Sequence, residues 1–127
     1  MTVYHSVDRV IEIAEAELGS PAPVRDLGLL DSAVARPRSS VFGQDAYPDI
    51  WTKAAALLQS LVVNHALVDG NKRLGWMSCV VFVALNVDID LTAVDEDDAY
   101  ALVIDVATDS SLTVEDLAPR LRSILGG

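Results

Sequence analysis

The sequence predicts an all-α protein of one domain, and three observations carry that prediction. Apolar residues recur at helical spacing through most of the 127 residues. Residues that start and stop helices punctuate those stretches. Turn-forming glycine, serine, aspartate and proline accumulate in one long segment, from Arg38 to Pro48. About half of the residues are hydrophobic, enough for a core in a single domain spanning residues 1–127.

About six helices follow in order. Val7, Val10, Ile11, Ala14 and Leu18 repeat on one face, with Ser6 as N-cap and Gly19 as stop. Pro21 and Pro23 break the chain, Asp26 caps a short helix carrying Leu27, Leu30 and Val34, and Pro37 ends it. Arg38 to Pro48 is expected to be a loop or small hairpin, long enough to have a function. Ile50 to about Ala66, rich in alanine and leucine, and Asn71 to about Asn86, apolar nearly all round, are expected to be the two central buried helices. After a short extended stretch from Val87 to Leu91, Ala99, Leu102, Val103 and Val106 mark a fifth helix. The acids Asp95 to Asp98 at its start suit the positive end of the helix dipole better than a metal site. Thr113 and Asp116 resemble a capping box for a last helix with Val114, Leu117, Leu121 and Ile124 on one face and Pro119 as a candidate kink.

A formal net charge of −10 argues against a general role in coating nucleic acid or an anionic membrane, so no direct nucleic-acid partner is expected. Cys79 is the only cysteine and lies in an apolar run, which excludes an internal disulfide and suits a packed thiol. No signal-peptide pattern is visible, and no uninterrupted apolar stretch reaches the roughly 18 residues of a spanning helix. A soluble, cytoplasmic protein is expected.

Between the two central helices the chain reads His65-Ala66-Leu67-Val68-Asp69-Gly70-Asn71-Lys72-Arg73. Gly70 can adopt a positive φ in a tight connection, and Lys72 and Arg73 fall in the first turn of the next helix, where the dipole disfavours cations by several tenths of a kcal/mol. A bound phosphate would compensate, because helix-terminal N–H groups and both cations converge on it. Alternatively, Asp69 neutralises the cations in a solvated loop. His65 is either a general base or a residue that merely ends a helix. Asp69 is either a magnesium ligand or a cap, and Asn71 either a phosphate donor or a turn former. Taken together, these residues fit phosphoryl or nucleotidyl transfer.

This stretch resembles the signature of the Fic/Doc family: histidine, any residue, usually phenylalanine, any residue, an acid, a small residue, asparagine, glycine or lysine, arginine. The lysine form points to the Doc branch. Gly28-Leu29-Leu30-Asp31-Ser32-Ala33-Val34-Ala35-Arg36-Pro37 is similar to a segment upstream of the signature in that branch. The resemblance implies a mostly helical domain that transfers part of a nucleotide, with ATP and magnesium, to a hydroxyl side chain of another protein. In the Doc branch this is phosphorylation of a threonine of elongation factor Tu by a toxin paired with a small antitoxin. It makes His65 the base and Asp69 the magnesium ligand, and it gives the phosphates to Asn71, Lys72, Arg73 and the backbone at Gly70. In the AMP-transferring branch a glycine stands at the position of Lys72 and a second arginine at that of Trp76, so both departures favour phosphoryl transfer.

Leu67, standing for the usual phenylalanine, should fill the same place beneath the loop with less bulk. Arg36 either reaches the site from the second helix or belongs to an ordinary helix ending. The Arg38 to Pro48 segment corresponds to a flap on which an extended target segment lies, or is a simple connector. Trp51 and Trp76 read as core or groove-lining residues. The rival readings are a catalytically inactive binding module of the same fold and an AMP transferase. A membrane-active hairpin is disfavoured by Gln59, Ser60 and Asn64.

Overall fold

The computed structural model describes residues 1–126 and is all-α but for one small hairpin. Its elements are α1 (Val7–Leu18), α2 (Leu27–Ala35), β1 (Ser40–Val41), β2 (Gln44–Asp45), α3 (Ile50–Val63), α4 (Asn71–Asn86), α5 (Glu96–Thr108) and α6 (Val114–Leu125), with 3-10 turns at Arg36–Arg38 and Leu91–Ala93. Caps form at the expected helix starts. Ser6 accepts from the Arg9 N–H, Asp26 from Leu29 and Asp95 from Asp98, while Thr113 and Asp116 close a capping box. Asp49 and Thr52 make a second box that the sequence reading did not single out. The acids opening α5 are a capped terminus, and no group of three or more metal-ligating side chains occurs among the described residues. Helix α6 is continuous through Pro119.

Helix α3 is the centre, packed along α4 and also against α2, α5 and α6. Ala54 to Leu58, Leu61 and Val62 are all buried, and they meet Leu74, Cys79, Phe82 and Val83 of α4 in one core. Helices α3 and α4 come unusually close at Gly75, where a Cβ would lie 2.7 Å from Val62 Cγ2. Cys79 is buried beside the Ala54 carbonyl, and burial pushes its thiol pKa up, away from reactivity. Among the described residues, no helix is long and apolar enough to cross a membrane.

One boundary differs from expectation: α3 ends at Val63, three residues before Ala66. The apolar sequence does continue through Ala66 and Leu67, each 1% exposed, but these residues are buried as a loop. Their backbone pairs with an earlier segment. The Arg25 and Asp26 N–H groups donate to the Ala66 carbonyl at 2.8 and 3.0 Å, and the Val68 N–H donates to Pro23 at 2.9 Å. Burial alone does not distinguish a loop tied down in this way from another helical turn.

The segment Arg38 to Pro48 contains the hairpin β1–β2, whose turn residues Phe42 and Gly43 have φ of 51° and 77°, the two positive values of a type I′ turn. Lys53, only 2% exposed, reaches out of α3 to hold its base. Its Nζ donates to Asp45 Oδ2 at 3.0 Å and to the Tyr47 carbonyl.

Candidate functional site

The connection from α3 to α4 is fixed before its side chains act. Asn64 ends α3 in a helical conformation, donating its N–H to Ser60, and His65 then turns left-handed at φ 53°. Histidine is among the few non-glycine residues that enter this region readily, yet it does so at some cost. Arg25 holds the turn, its guanidinium donating through Nε (3.1 Å) and Nη2 to the His65 carbonyl. His65 is left exposed while its carbonyl is tied down by Arg25.

Beyond it, Leu67 is buried beneath the loop, as expected for the residue standing in place of the family's usual phenylalanine, and forms an antiparallel bridge with Val24. Asn71 closes the loop on Leu67 from both sides: its Oδ1 accepts the Leu67 N–H at 3.0 Å and its Nδ2 donates to the Leu67 carbonyl at 3.1 Å. The side chain expected to hold phosphate is therefore also a staple, leaving its backbone N–H and one amide hydrogen to offer a ligand. Gly70 has φ 85°, and a Cβ there would lie 2.6 Å from Leu18 Cδ1. Glycine is thus required by conformation, and a Cβ would in addition make the Leu18 methyls shift.

Two alternatives that the sequence left open are decided by distance. Asp69 does not cap α4, since its Oδ1 accepts the Gly70 N–H at 2.8 Å and α4 has no side-chain cap. Nor does Asp69 form an ion pair with either cation: the ion pairs among the described residues are Lys53–Asp45 and Arg120–Asp105. Lys72 is exposed, and Arg73 donates to the Glu17 carbonyl at 3.2 Å.

Among the described residues, five of the six α-helices carry a side-chain N-cap, and α4 alone has none. Its first N–H groups point outward from a left-handed glycine, with Lys72 and Arg73 beside them. His65, Asp69, Gly70, Asn71, Lys72 and Arg73 line one cleft of about 580 Å³, closed on its far side by Ala107 and Thr108 of α5. A positive pocket thus exists on a strongly acidic protein.

Arg36 is not brought into this cleft. Its Nε donates to Tyr47 Oη at 2.8 Å, and its Nη1 to Gln59 Oε1 at 2.8 Å and Ser60 Oγ at 3.0 Å. It ties the end of α2 to α3 and to the hairpin base, and it lines a neighbouring trough that runs from Ser39 to Asn64, the residue before His65. Sequence reasoning missed Arg25 and Lys53. Arg25 sits between breakers and gives no pattern, whereas Lys53 is the one cation in the apolar α3, a signal that could have been followed.

The Fic/DOC family profile matches residues 4–83, from ahead of α1 to near the end of α4. The chain is also 50% identical over 109 residues to "Toxin Doc" of Mycolicibacterium smegmatis (strain ATCC 700084 / mc(2)155), a match covering 85% of this chain and 83% of that protein.

Proposed function

Because the chain belongs to the Fic/Doc family, we propose that it is the toxin of a toxin–antitoxin pair. In this reading it acts in the cytoplasm as a protein kinase, moving the terminal phosphoryl group of ATP or another nucleoside triphosphate onto a hydroxyl of a protein. Elongation factor Tu is the proposed target, and translation arrest the result. The observation that carries the chemistry is the uncapped N-terminus of α4 with two cations in its first turn. A phosphate chain would satisfy the free N–H groups and offset the unfavourable placement of Lys72 and Arg73 together.

The roles follow from position. The hydroxyl oxygen attacks the terminal phosphorus, the bond from that phosphorus to the bridging oxygen breaks, and ADP leaves. His65 receives the hydroxyl proton; its ring is exposed at the mouth of the cleft while its backbone is immobilised by Arg25. Lys72, Arg73 and the backbone N–H groups of Asn71 and the residues after it hold the phosphates, where their preorganised charge stabilises the transferring group, while the Gly70 N–H is engaged by Asp69.

Magnesium fits this site as a companion of the nucleotide and not as a resident ion. Asp69 is the one carboxylate lining the cleft, one of its oxygens already accepts from Gly70, and a single carboxylate plus phosphate oxygens is an ordinary magnesium environment. When bound there, the ion would neutralise phosphate charge. A small antitoxin is the second proposed partner.

The test uses ATP labelled either at the terminal or at the α-phosphate, incubated with the protein and a bacterial lysate. Label should reach protein from the terminal phosphate alone. Transfer from the α-phosphate would replace phosphoryl by AMP transfer, and no transfer from either would leave the binding-module reading.

A further inference from the structure

The hairpin β1–β2 pairs only Ser40 with Asp45 and Val41 with Gln44, and so short a two-stranded unit is marginal in water unless its base is held. Two cations flank it: Arg38 just before β1, and Lys53, bonded to Asp45 of β2. Both stand over one ring. The Tyr4 centroid is 4.9 Å from the Arg38 guanidinium carbon and 5.8 Å from Lys53 Nζ, and Arg38 Nη2 also donates to the His5 carbonyl at 3.1 Å. The segment ahead of α1 therefore receives both legs of the hairpin. That segment is itself fastened to α4. Asn86 Oδ1 accepts the Val3 N–H at 2.7 Å and Asn86 Nδ2 donates to the Val3 carbonyl at 2.9 Å, while His5 Nε2 lies 2.8 Å from the Ser78 carbonyl. A carbonyl only accepts, so Nε2 carries the ring proton and Nδ1 is bare. Nδ1 is buried without a partner, as are Arg9 Nη1 and Ser78 Oγ.

We infer that Val3–His5 is a strap that positions the hairpin, locked onto α4 by neutral His5 and released when His5 takes a second proton. The added proton would sit on Nδ1, a buried atom with no acceptor in place, and the charge would meet cations. Arg9 faces His5 from α1, Arg38 from the 3-10 turn, and Lys53 from α3 across Tyr4; α4 contributes the neutral Ser78 and Phe82, and Asp45 is engaged by Lys53. Burial lowers the His5 pKa, the Ser78 bond partly offsets this, and Arg9 lowers it further. The strap is thus fully docked above the ordinary histidine value and lets go as pH falls through the lowered one. Release takes the Tyr4 ring away from Arg38 and Lys53 and loosens the hairpin. Ser78 lies about 9 Å along α4 from Lys72, so the phosphate cleft keeps its shape. In its functional part this rests on the kinase reading, with the hairpin as the flap that takes the target segment: a loosened flap weakens target binding and leaves ATP affinity alone.

Amide exchange, corrected for the intrinsic effect of pH, is followed at Ala46, whose N–H donates to the Ser39 carbonyl at 2.8 Å across the hairpin base. In wild type its protection should fall several-fold between about pH 7 and pH 5. His5→Gln retains a donor for Ser78 but does not titrate, so its profile should stay flat; Asp45 and Lys53 are common to both proteins, and a difference between them reports His5. Tyr4→Leu should lower the protection at neutral pH and Tyr4→Phe should restore it, since the ring meets the cations. Equal pH profiles in wild type and His5→Gln, or equal protection in Tyr4→Leu and Tyr4→Phe, would overturn the strap. In phosphorylation assays Tyr4→Leu should raise KM for elongation factor Tu several-fold with kcat and ATP affinity close to wild type. A loss confined to kcat or to ATP affinity would overturn positioning through the hairpin. If wild type itself phosphorylates nothing, the kinase reading fails, and the exchange result still decides the strap.

Discussion

Replacing Lys53 by methionine should loosen the hairpin β1–β2 while leaving the helical core in place. Lys53 is 2% exposed, with Nζ 3.0 Å from Asp45 Oδ2, a second bond to the Tyr47 carbonyl, and the Tyr4 ring centroid 5.8 Å away. The pair with Asp45, whose side chain is 58% exposed, is worth at most about 1 kcal/mol after screening. The charge-assisted bond to Tyr47 adds about 1.5 kcal/mol. Methionine retains most of the apolar stem and removes the cost of burying a charge. The net loss should be about 1–2 kcal/mol, concentrated in local opening of Ser40 to Tyr47. Hydrogen exchange is the assay: amides at the hairpin base should exchange roughly 5- to 30-fold faster in Lys53→Met, with α3 and α4 amides much less affected.

The pH dependence adds a second reading. Burial by itself would lower the Lys53 pKa, but the hydrogen bond and charge of Asp45, with the neighbouring Tyr4, outweigh it and raise it above the ordinary value. Its contribution is therefore complete below the unfolded lysine pKa and disappears as pH rises through the folded one, so the two proteins should differ equally across neutral pH and converge in strong alkali. Unchanged protection of the hairpin in the variant would refute the view that Lys53 braces it.

His65→Ala should abolish transfer with little change in thermal stability, because the ring is exposed; full activity in the folded variant, measured as phosphate incorporation, would remove His65 from the mechanism. Gly70→Ala forces φ 85° on a residue with a Cβ and pushes it to 2.6 Å from Leu18 Cδ1. Calorimetry should show a loss of about 2 kcal/mol, or roughly 6–10 °C in Tm, and an unshifted Tm would contradict the strain argument. His5 is 2% exposed with Nε2 2.8 Å from the Ser78 carbonyl. Burial lowers its pKa, the Ser78 bond partly offsets this, and the charge of Arg9 lowers it further. A lowered folded pKa means that its stabilisation is present above the unfolded histidine pKa and lost as pH falls through the folded value. Urea midpoints should therefore drop more steeply between pH 7 and 5 in wild type than in His5→Gln, and coincident slopes would assign the titration to other groups.

Most helices were legible because their signals are local. Ser6, Asp26 and Thr113 cap the helices they were expected to cap, Asp95 caps a start at which a run of acids was expected, and periodic apolar residues form the faces that pack on α3. The motif from His65 to Arg73 was legible as a charged interruption between apolar helices. Its internal wiring was not. That the Asn71 amide clasps Leu67, that Asp69 bonds Gly70, and that Arg25 holds His65 are facts of three-dimensional proximity, and the last spans 40 positions. Ala66 looked helical because the sequence records its burial and not the neighbouring strand-like pairing of Leu67 with Val24. Arg36 could by its position either reach the site from the second helix or belong to a helix ending, and Tyr47, Gln59 and Ser60 engage its guanidinium away from the cleft.

The central claim is that the terminal phosphoryl group, and not the nucleotide, is transferred over the N-terminus of α4. Purified protein, ATP, magnesium and elongation factor Tu, followed by intact-mass analysis of the factor and chromatography of the nucleotide products, tests it directly. The account predicts a gain of the mass of one phosphate with stoichiometric ADP, both lost in His65→Ala. A gain of the mass of one AMP with release of pyrophosphate would contradict it.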